Sequence, residues 1–128
     1  MSGTHHPCCC KAKYFETGLS LRGYLGLSYI DSQGQVIPIT EEEFATFIPV
    51  IAAAFPDGFT IYDANGGYYD SVLQKTVVEK SKVLEIVVGK EGVKKSISDF
   101  ALLMDTYTTK FHQSGQFWTK NNCQFHSS

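Results

Sequence analysis

The sequence predicts an α+β domain with a ferredoxin-like β-α-β-β-α-β order, in which a four-stranded antiparallel sheet carries two helices on one face. Three observations support this fold class. Four stretches have apolar residues at every second position, two others have them at helical spacing, and these stretches alternate in the order that the fold needs. The chain has 128 residues with no internal repeat or linker, so we expect an irregular N-terminal arm over residues 1–18 and one domain over residues 19–128.

Each strand stretch has the two-residue period of a half-buried strand. The first ends at the turn-forming sequence Asp31–Gly34, and Asn65-Gly66 predicts a tight turn between the second and the third. The stretches span residues 19–30, 58–64, 82–88 and 116–126. We expect the face that packs against the helices to carry Leu21, Leu25, Leu27, Phe59, Ile61, Leu84, Ile86, Phe117 and Phe125.

The two helical stretches are recognisable, the first by a capping box at its start and the second by an apolar stripe. Thr40 and Glu43 have the spacing of a capping box, and three consecutive glutamates suit the positive end of a helix dipole, so this acidic cluster has a structural explanation. We expect the first helix to continue to Phe55, with a kink where Pro49 removes a backbone donor. The second helix has an apolar stripe at steps of four and three residues, formed by Val93, Ile97, Phe100, Met104, Tyr107 and Phe111.

Composition argues against several classes of partner. The net charge is -2 and no basic block occurs, so the sequence has neither a nucleic-acid footprint nor a polybasic membrane patch. No apolar run approaches the roughly 20 residues of a membrane span. We therefore expect no nucleic acid and no membrane as partners. The sequence has no P-loop, dinucleotide-binding glycine motif or zinc-protease motif, so we expect no cofactor. Because the N-terminus has no apolar signal core, we expect a cytoplasmic protein.

The four cysteines do not have the spacing of a zinc site. Three are consecutive, and we expect them to lie in a reduced, irregular arm. Two alternatives stay open, namely a soft-metal site with the two upstream histidines or a disulfide to Cys123. The weak metal candidates are His5, His6, Cys8, Cys9 and Cys10.

The sheet face without helices is the strongest candidate for function. It is too aromatic to be left in water and too polar for a core, so we expect it to pack against another subunit or to line a ligand cleft. Its predicted residues are Arg22, Tyr24, Tyr62, Glu85, Trp118, Lys120 and His126.

Glu85 is the most informative residue of this face, because it lies between valines in the middle of a strand. One interpretation is an ion pair across the sheet with Arg22 or Lys120. The alternative is a desolvated carboxylate that acts as a general base, with Tyr24 or Tyr62 as the proton donor.

Four motifs in order resemble an uncharacterised bacterial domain-of-unknown-function family. The resemblance implies a small α+β domain and no particular activity, and similar proteins are often exported. The motifs are [RL]-x-Y-[FL]-G-L-S, F-P-x-G-[LF]-T, D-x-x-G-x-[WY] and S-K-V-L, matched by residues 22–28, 55–60, 63–68 and 81–84.

The sequence G-G-Y-Y-D over residues 66–70 is the second candidate. It is either a hairpin with cross-strand aromatic packing or an arm that contacts a ligand, with one of its two tyrosines packed on the domain. The pattern G-x-Y-x-[DE], matched by Tyr68 and Asp70, resembles phage enzymes that break down S-adenosylmethionine.

Two hypotheses follow for the function. We expect a homo-oligomeric module that associates through its open sheet face or edge, with a small molecule as an optional ligand. The alternative is a small enzyme with its active site between subunits, similar to an S-adenosylmethionine-degrading lyase. Its candidate catalytic residues are Glu85, Tyr62, Tyr24, Tyr68 and Asp70.

Overall fold

The computed structural model describes residues 14–127 as an α+β domain. Its strands are β1 (Glu16–Gly26), β2 (Ser28–Ile30), β3 (Val36–Pro38), β4 (Thr60–Asp70), β5 (Lys75–Gly89) and β6 (Phe117–Phe125), and its helices are α1 (Glu41–Ala45), α2 (Ile48–Ala54) and α3 (Val93–Lys110). The main sheet has the strand order β4-β5-β1-β6, with every neighbouring pair antiparallel. The predicted class, an antiparallel four-stranded sheet with helices, is confirmed.

The core lies between the helices and one face of the sheet. The apolar stripe of α3 faces the core as predicted, with Val93 and Ile97 partly buried and the later stripe residues buried. It packs with residues of α1 and α2 against alternate residues of β1 and β5. The fully buried side chains of this cluster include Leu21, Leu25, Phe47, Ile51, Leu84, Phe100, Met104 and Tyr107. Because the three helices of residues 41–110 contribute to one cluster, none of them covers the opposite face of the sheet.

The first strand stretch is divided in two. β1 begins at Glu16, three residues before the predicted start, and a bend after Gly26 leads into β2. The predicted turn after it closes a small β2–β3 hairpin, in which the Asp31 carboxylate accepts the backbone N–H groups of Gln33 and Gln35, both at 2.9 Å. This hairpin is a second, two-stranded sheet beside the main one.

The first helix stretch also differs from the prediction. The capping box is present, since Glu43 N–H donates to Thr40 Oγ1 and Thr40 N–H donates to Glu43 Oε1, both at 3.0 Å. The expected single kinked helix is wrong, because the chain breaks at Thr46-Phe47 into α1 and α2. Pro49 lies in the first turn of α2, where a missing backbone donor costs nothing, so the proline starts a new helix instead of bending an old one.

The predicted tight turn at Asn65-Gly66 is wrong. Both residues lie inside β4, where Asn65 is opposite Lys80 and Gly66 is opposite Glu79. Strand pairing on either side holds the two residues in an extended conformation, and this tertiary pairing overrides their local turn preference.

The chain reverses instead at residues 71–74. The Asp70 carboxylate accepts the N–H groups of Val72 and Leu73, at 2.9 and 3.0 Å, and Gln74 adopts a left-handed conformation with φ of 54°. β1 pairs with β5 as far as Ser81, and one further bond, from Leu27 N–H to the Lys80 backbone oxygen at 3.1 Å, holds the base of the hairpin. Beyond this point no third strand among residues 14–127 pairs with the hairpin. We call residues 65–80 the β4–β5 arm.

Candidate functional site

The open sheet face carries two neighbouring rows of side chains that cross all four strands. The strand register defines the polar row as Thr60, Glu85, Arg22 and Thr119, and the aromatic row as Tyr62, Val83, Tyr24 and Phe117. Cross-strand neighbours on one face lie close enough to contact each other. The face therefore presents a charged strip beside an apolar strip.

The polar row is centred on an ion pair. Arg22 Nη2 donates to Glu85 Oε2 at 2.9 Å, and the Ser20 hydroxyl donates to the same oxygen at 3.0 Å. The hydrogen bond from Arg22, supported by that from Ser20, holds the pKa of Glu85 below its ordinary value, although partial burial opposes this shift. The Glu85 hydrogen bond and charge raise the pKa of Arg22.

This geometry supports the pairing interpretation of Glu85, and the catalytic role stays a prediction. The pairing prediction is confirmed, with Arg22 rather than Lys120 as the partner. A carboxylate with a lowered pKa stays ionised and is a weaker base, so the arrangement suits charge recognition better than proton abstraction.

The aromatic row is partly exposed. Val83 is buried between the neighbouring positions of Tyr62 and Tyr24, and the rings of Tyr24 and Phe117 lie 5.5 Å apart. The three rings remain accessible to solvent, Phe117 most of all. A contiguous aromatic strip of this kind is typical of a contact surface.

The predicted orientation of β6 is wrong. The Trp118 ring packs against Phe100 of α3 with centroids 5.3 Å apart, and Lys120 lies opposite the core residue Leu21, so both belong to the helix-covered side. Phe117, which was expected in the core, lies on the open face. β6 starts with two consecutive aromatic residues, Phe117 and Trp118, which point to opposite faces of the sheet. The sequence pattern therefore does not show which face of β6 is buried.

His126 lies beyond the end of β6 and outside both rows. Its Nδ1 is 2.6 Å from the backbone oxygen of Tyr14, and its ring lies beside that of Phe15. The open face therefore keeps four of its seven predicted residues, namely Arg22, Tyr24, Tyr62 and Glu85.

The second candidate, the G-G-Y-Y-D sequence, lies in the β4–β5 arm and away from the ion pair. Tyr68 and Tyr69 are exposed by 51% and 65%, so the expectation that one of them packs on the domain is wrong. The Asp70 carboxylate is engaged by two backbone N–H groups of the turn, which gives it a structural role.

A further charged cluster, which sequence reasoning missed, lies on the helix-covered side. The side chain of Lys82 is almost buried, and its ammonium group donates to the exposed carboxylates of Asp63 at 2.6 Å and Glu41 at 2.7 Å. These hydrogen bonds, that to Asp63 first, raise the pKa of Lys82. The sequence indicates this cluster only through the position of Lys82, which alternates with Leu84 and Ile86 and therefore lies on the same, core-facing side of β5.

The Lys82 cluster borders a cleft of about 570 Å³. The cleft lies where the β4–β5 arm leaves the sheet, and its lining includes Leu27, Pro38, Ile39, Ala64, Asn65 and Ser81. Its apolar residues come from β2–β3 and the adjoining segments, and its charged residues come from α1, β4 and β5.

No cluster of three potential metal ligands occurs among residues 14–127, and Cys123 has no disulfide partner there. The metal candidates His5, His6 and Cys8–Cys10 lie outside the described residues. None of the helices in the described part of the chain has the length and apolar character needed to cross a membrane.

Comparison with solved structures supports the fold. One phage SAM lyase, in complex with S-methyl-5'-thioadenosine, aligns with a TM-score of 0.58 at 15% identity, covering 86% of this chain and 90% of the lyase. A phage SAM lyase in the apo state aligns with a TM-score of 0.59 at 15% identity, covering 87% and 90%. At this identity the likeness shows a shared fold alone.

A search of curated proteins gives no match. The model of one protein family does match, over residues 21–126, which include β1 from Leu21 onward and all later strands and helices. That family is described as a protein of unknown function, DUF3574, and the chain belongs to it.

Proposed function

We propose that this protein is a homo-oligomeric module in which the open sheet face of one copy packs against another copy. The observation that carries the proposal is the exposed aromatic row Tyr62–Val83–Tyr24–Phe117, which runs beside the Arg22–Glu85 pair. The strand order β4-β5-β1-β6, with helical connections on one face, supports a ferredoxin-like topology, which leaves this face free for association.

The charge of the face is compatible with burial. Arg22 and Glu85 neutralise each other, so covering them introduces no net charge into an interface. Both groups keep polar atoms beyond their mutual hydrogen bond, namely the second carboxylate oxygen and the second terminal guanidinium nitrogen. A small molecule held between subunits would find paired charges next to aromatic rings.

The test is the oligomeric state in solution. We expect sedimentation equilibrium at micromolar concentration to give more than one chain per particle, and Phe117→Asp, which adds a charge to the aromatic row, to weaken association. Ile30→Asp is the matched control, because Ile30 is equally exposed but lies in the β2–β3 hairpin. A monomeric wild-type protein would overturn the proposal.

A second candidate is a lyase that acts on S-adenosylmethionine between subunits. Two observations favour it, namely the fold shared with phage SAM lyases and the G-x-Y-x-D pattern that ends at Asp70. Release of S-methyl-5'-thioadenosine breaks one carbon–sulfur bond, and the electron pair stays on sulfur, so the sulfonium becomes a neutral thioether. The substrate's own carboxylate oxygen forms the new bond to the carbon that leaves sulfur, which closes a lactone, so atoms and charge balance without a co-reactant. The Arg22–Glu85 pair has the charges to hold an amino-acid group, with its carboxylate near Arg22 and its ammonium near Glu85.

This activity can be measured directly. The protein is incubated with S-adenosylmethionine, and S-methyl-5'-thioadenosine is quantified by chromatography and mass spectrometry. We expect Glu85→Gln to lower the rate at least tenfold and Glu91→Gln, on an exposed loop, to leave it unchanged. No product above the buffer rate from a correctly assembled oligomer would exclude the lyase hypothesis.

A further inference from the structure

In the part of the chain that the structure describes, the β4–β5 arm extends from the domain with no third strand beside it. Residues 65–70 pair only with residues 75–80, over a length of about 20 Å at ~3.3 Å per residue. An isolated two-stranded hairpin is at best marginally stable in water, because it has no apolar face to bury. The arm therefore needs a surface that covers it.

The arm exposes apolar side chains where a solvated hairpin would be polar. Val72 and Leu73 form its tip and are exposed by 89% and 57%, and Tyr69 and Val78 lie on its helix side. Tyr68 lies on the other side. A single flat contact would leave one of these sides in water, so the covering surface must enclose the tip.

This chain provides such a surface at the base of the same arm. The cleft beside Lys82 has apolar residues, Leu27, Pro38 and Ile39, and its lining extends to Ala64 and Asn65, where the arm begins. The tip of the arm lies one ribbon length, about 20 Å, from the cleft at its own base, so it does not fill that cleft itself. The arm of a neighbouring copy has no such restriction.

We propose that two copies place their β4–β5 arms antiparallel about a two-fold axis, so that each apolar tip enters the partner's cleft. The proposal rests on the proposed homo-oligomer and adds a contact distinct from the open face. The cleft lies at the base of the arm. When two arms lie antiparallel, the tip of each copy therefore meets the base of the other, and the two-fold axis makes this contact twice.

Charge and area agree with a second copy as the occupant. The arm has two acidic and two basic residues, and the charged residues of the cleft also balance, so neither surface repels the other. The arm exposes five apolar or aromatic side chains, which contribute, with the ribbon backbone, to the ~800 Å² per partner that a standard interface buries.

The experiment compares three variants by sedimentation equilibrium. The double variant Val72→Asp/Leu73→Asp should raise the dissociation constant at least tenfold. Leu102→Asp, exposed by 66% on α3, is the control and should match the wild-type protein. Phe117→Asp reports on the open face separately. Hydrogen exchange adds a second measurement, because arm amides should lose protection on dilution while core amides of β1 and β5 keep it.

The outcomes separate the two proposals. If the tip variant assembles like the wild-type protein while Phe117→Asp dissociates, the arm contact is wrong and the open-face interface stands. If only the tip variant dissociates, the arm contact stands and the open-face interface is wrong. A monomeric wild-type protein, with arm amides that exchange equally at all concentrations, overturns both.

Discussion

Arg22 of β1 lies directly opposite Glu85 of β5, and its Nη2 donates to the Glu85 carboxylate at 2.9 Å. The sequence brings the two residues together because the register of β1 and β5 is fixed by the buried residues on the other side of both strands. A slip by one position would move the charged residues into the core and the apolar residues out of it.

The first prediction concerns the pH dependence of stability. The pKa of Glu85 is lowered in the folded protein, so ionised Glu85 stabilises the fold at neutral pH, and this contribution is lost in acid, as the pH falls below the ordinary glutamate pKa and through the lowered one. We expect Glu85→Gln to reduce the difference in the free energy of unfolding between pH 7 and pH 3. Urea denaturation at both pH values measures it.

The matched control for this prediction is Glu91→Gln, in the exposed loop before α3. It should leave the pH dependence within error of the wild-type protein. An equal change in both variants would mean that overall charge, and not the Arg22–Glu85 pair, governs the acid response.

Periodicity and capping were sufficient to predict much of the fold. The α3 stripe, the capping box at Thr40 and the faces of β1 and β5 follow from local patterns that tertiary contacts reinforce. The position of the arm turn was not predictable in the same way. Asn65-Gly66 is the stronger local turn signal, but nine further residues of β4 pair with β5, and the Asp70 side chain closes a turn that its neighbours barely indicate.

Residues of the candidate site were predictable only on strands in which a single set of alternate positions is apolar, because such a strand has one evident core side. Arg22, Tyr24, Tyr62 and Glu85 lie on strands whose opposite residues are clearly apolar. β6 is an edge strand with a polar centre and two consecutive aromatic residues at its start. Packing against α3 decides that Trp118 faces the core and Phe117 the open face, the reverse of the prediction. The Lys82 cluster joins residues far apart in sequence, which periodicity does not detect.

The second prediction concerns Tyr107 in the core. Its hydroxyl is buried beneath the sheet and donates to the backbone oxygen of Gly26 at 2.6 Å, and burial raises its pKa. Tyr107→Phe should destabilise the protein by about 1–2 kcal/mol, because the carbonyl loses a donor that water cannot replace. Urea denaturation measures the loss. Tyr69→Phe, on the exposed arm, is the control and should change stability by less than about 0.5 kcal/mol.

The third prediction concerns the close approach of α3 to β1. A methyl group at Gly23 would lie 2.6 Å from Met104 Sδ and 3.1 Å from the Phe100 ring. Gly23→Ala should therefore destabilise the fold by about 1–3 kcal/mol through overpacking. Gly66→Ala provides the comparison, because a methyl group there meets nothing within 4 Å among the described residues. Equal thermal unfolding of the two variants would show that the Met104 side chain moves aside freely.

The last prediction concerns the independence of the β4–β5 arm. Asp70 and Asp31 play matched roles, since each carboxylate accepts two backbone N–H groups of its own turn. Asp70→Ala removes charge-assisted hydrogen bonds from a hairpin that lies outside the core. In dilute protein, we expect arm amides to exchange about tenfold faster while the free energy of global unfolding changes by less than about 0.5 kcal/mol.

Asp31→Ala is the control for this measurement, because it should loosen the β2–β3 hairpin and leave the arm amides unchanged. Hydrogen exchange monitored by NMR resolves the two hairpins in one experiment. If Asp70→Ala instead lowers global stability as much as a core substitution does, the arm unfolds together with the sheet. Its pairing would then be supported by contacts beyond its own two strands, and the reason for expecting a second copy to cover it would be lost.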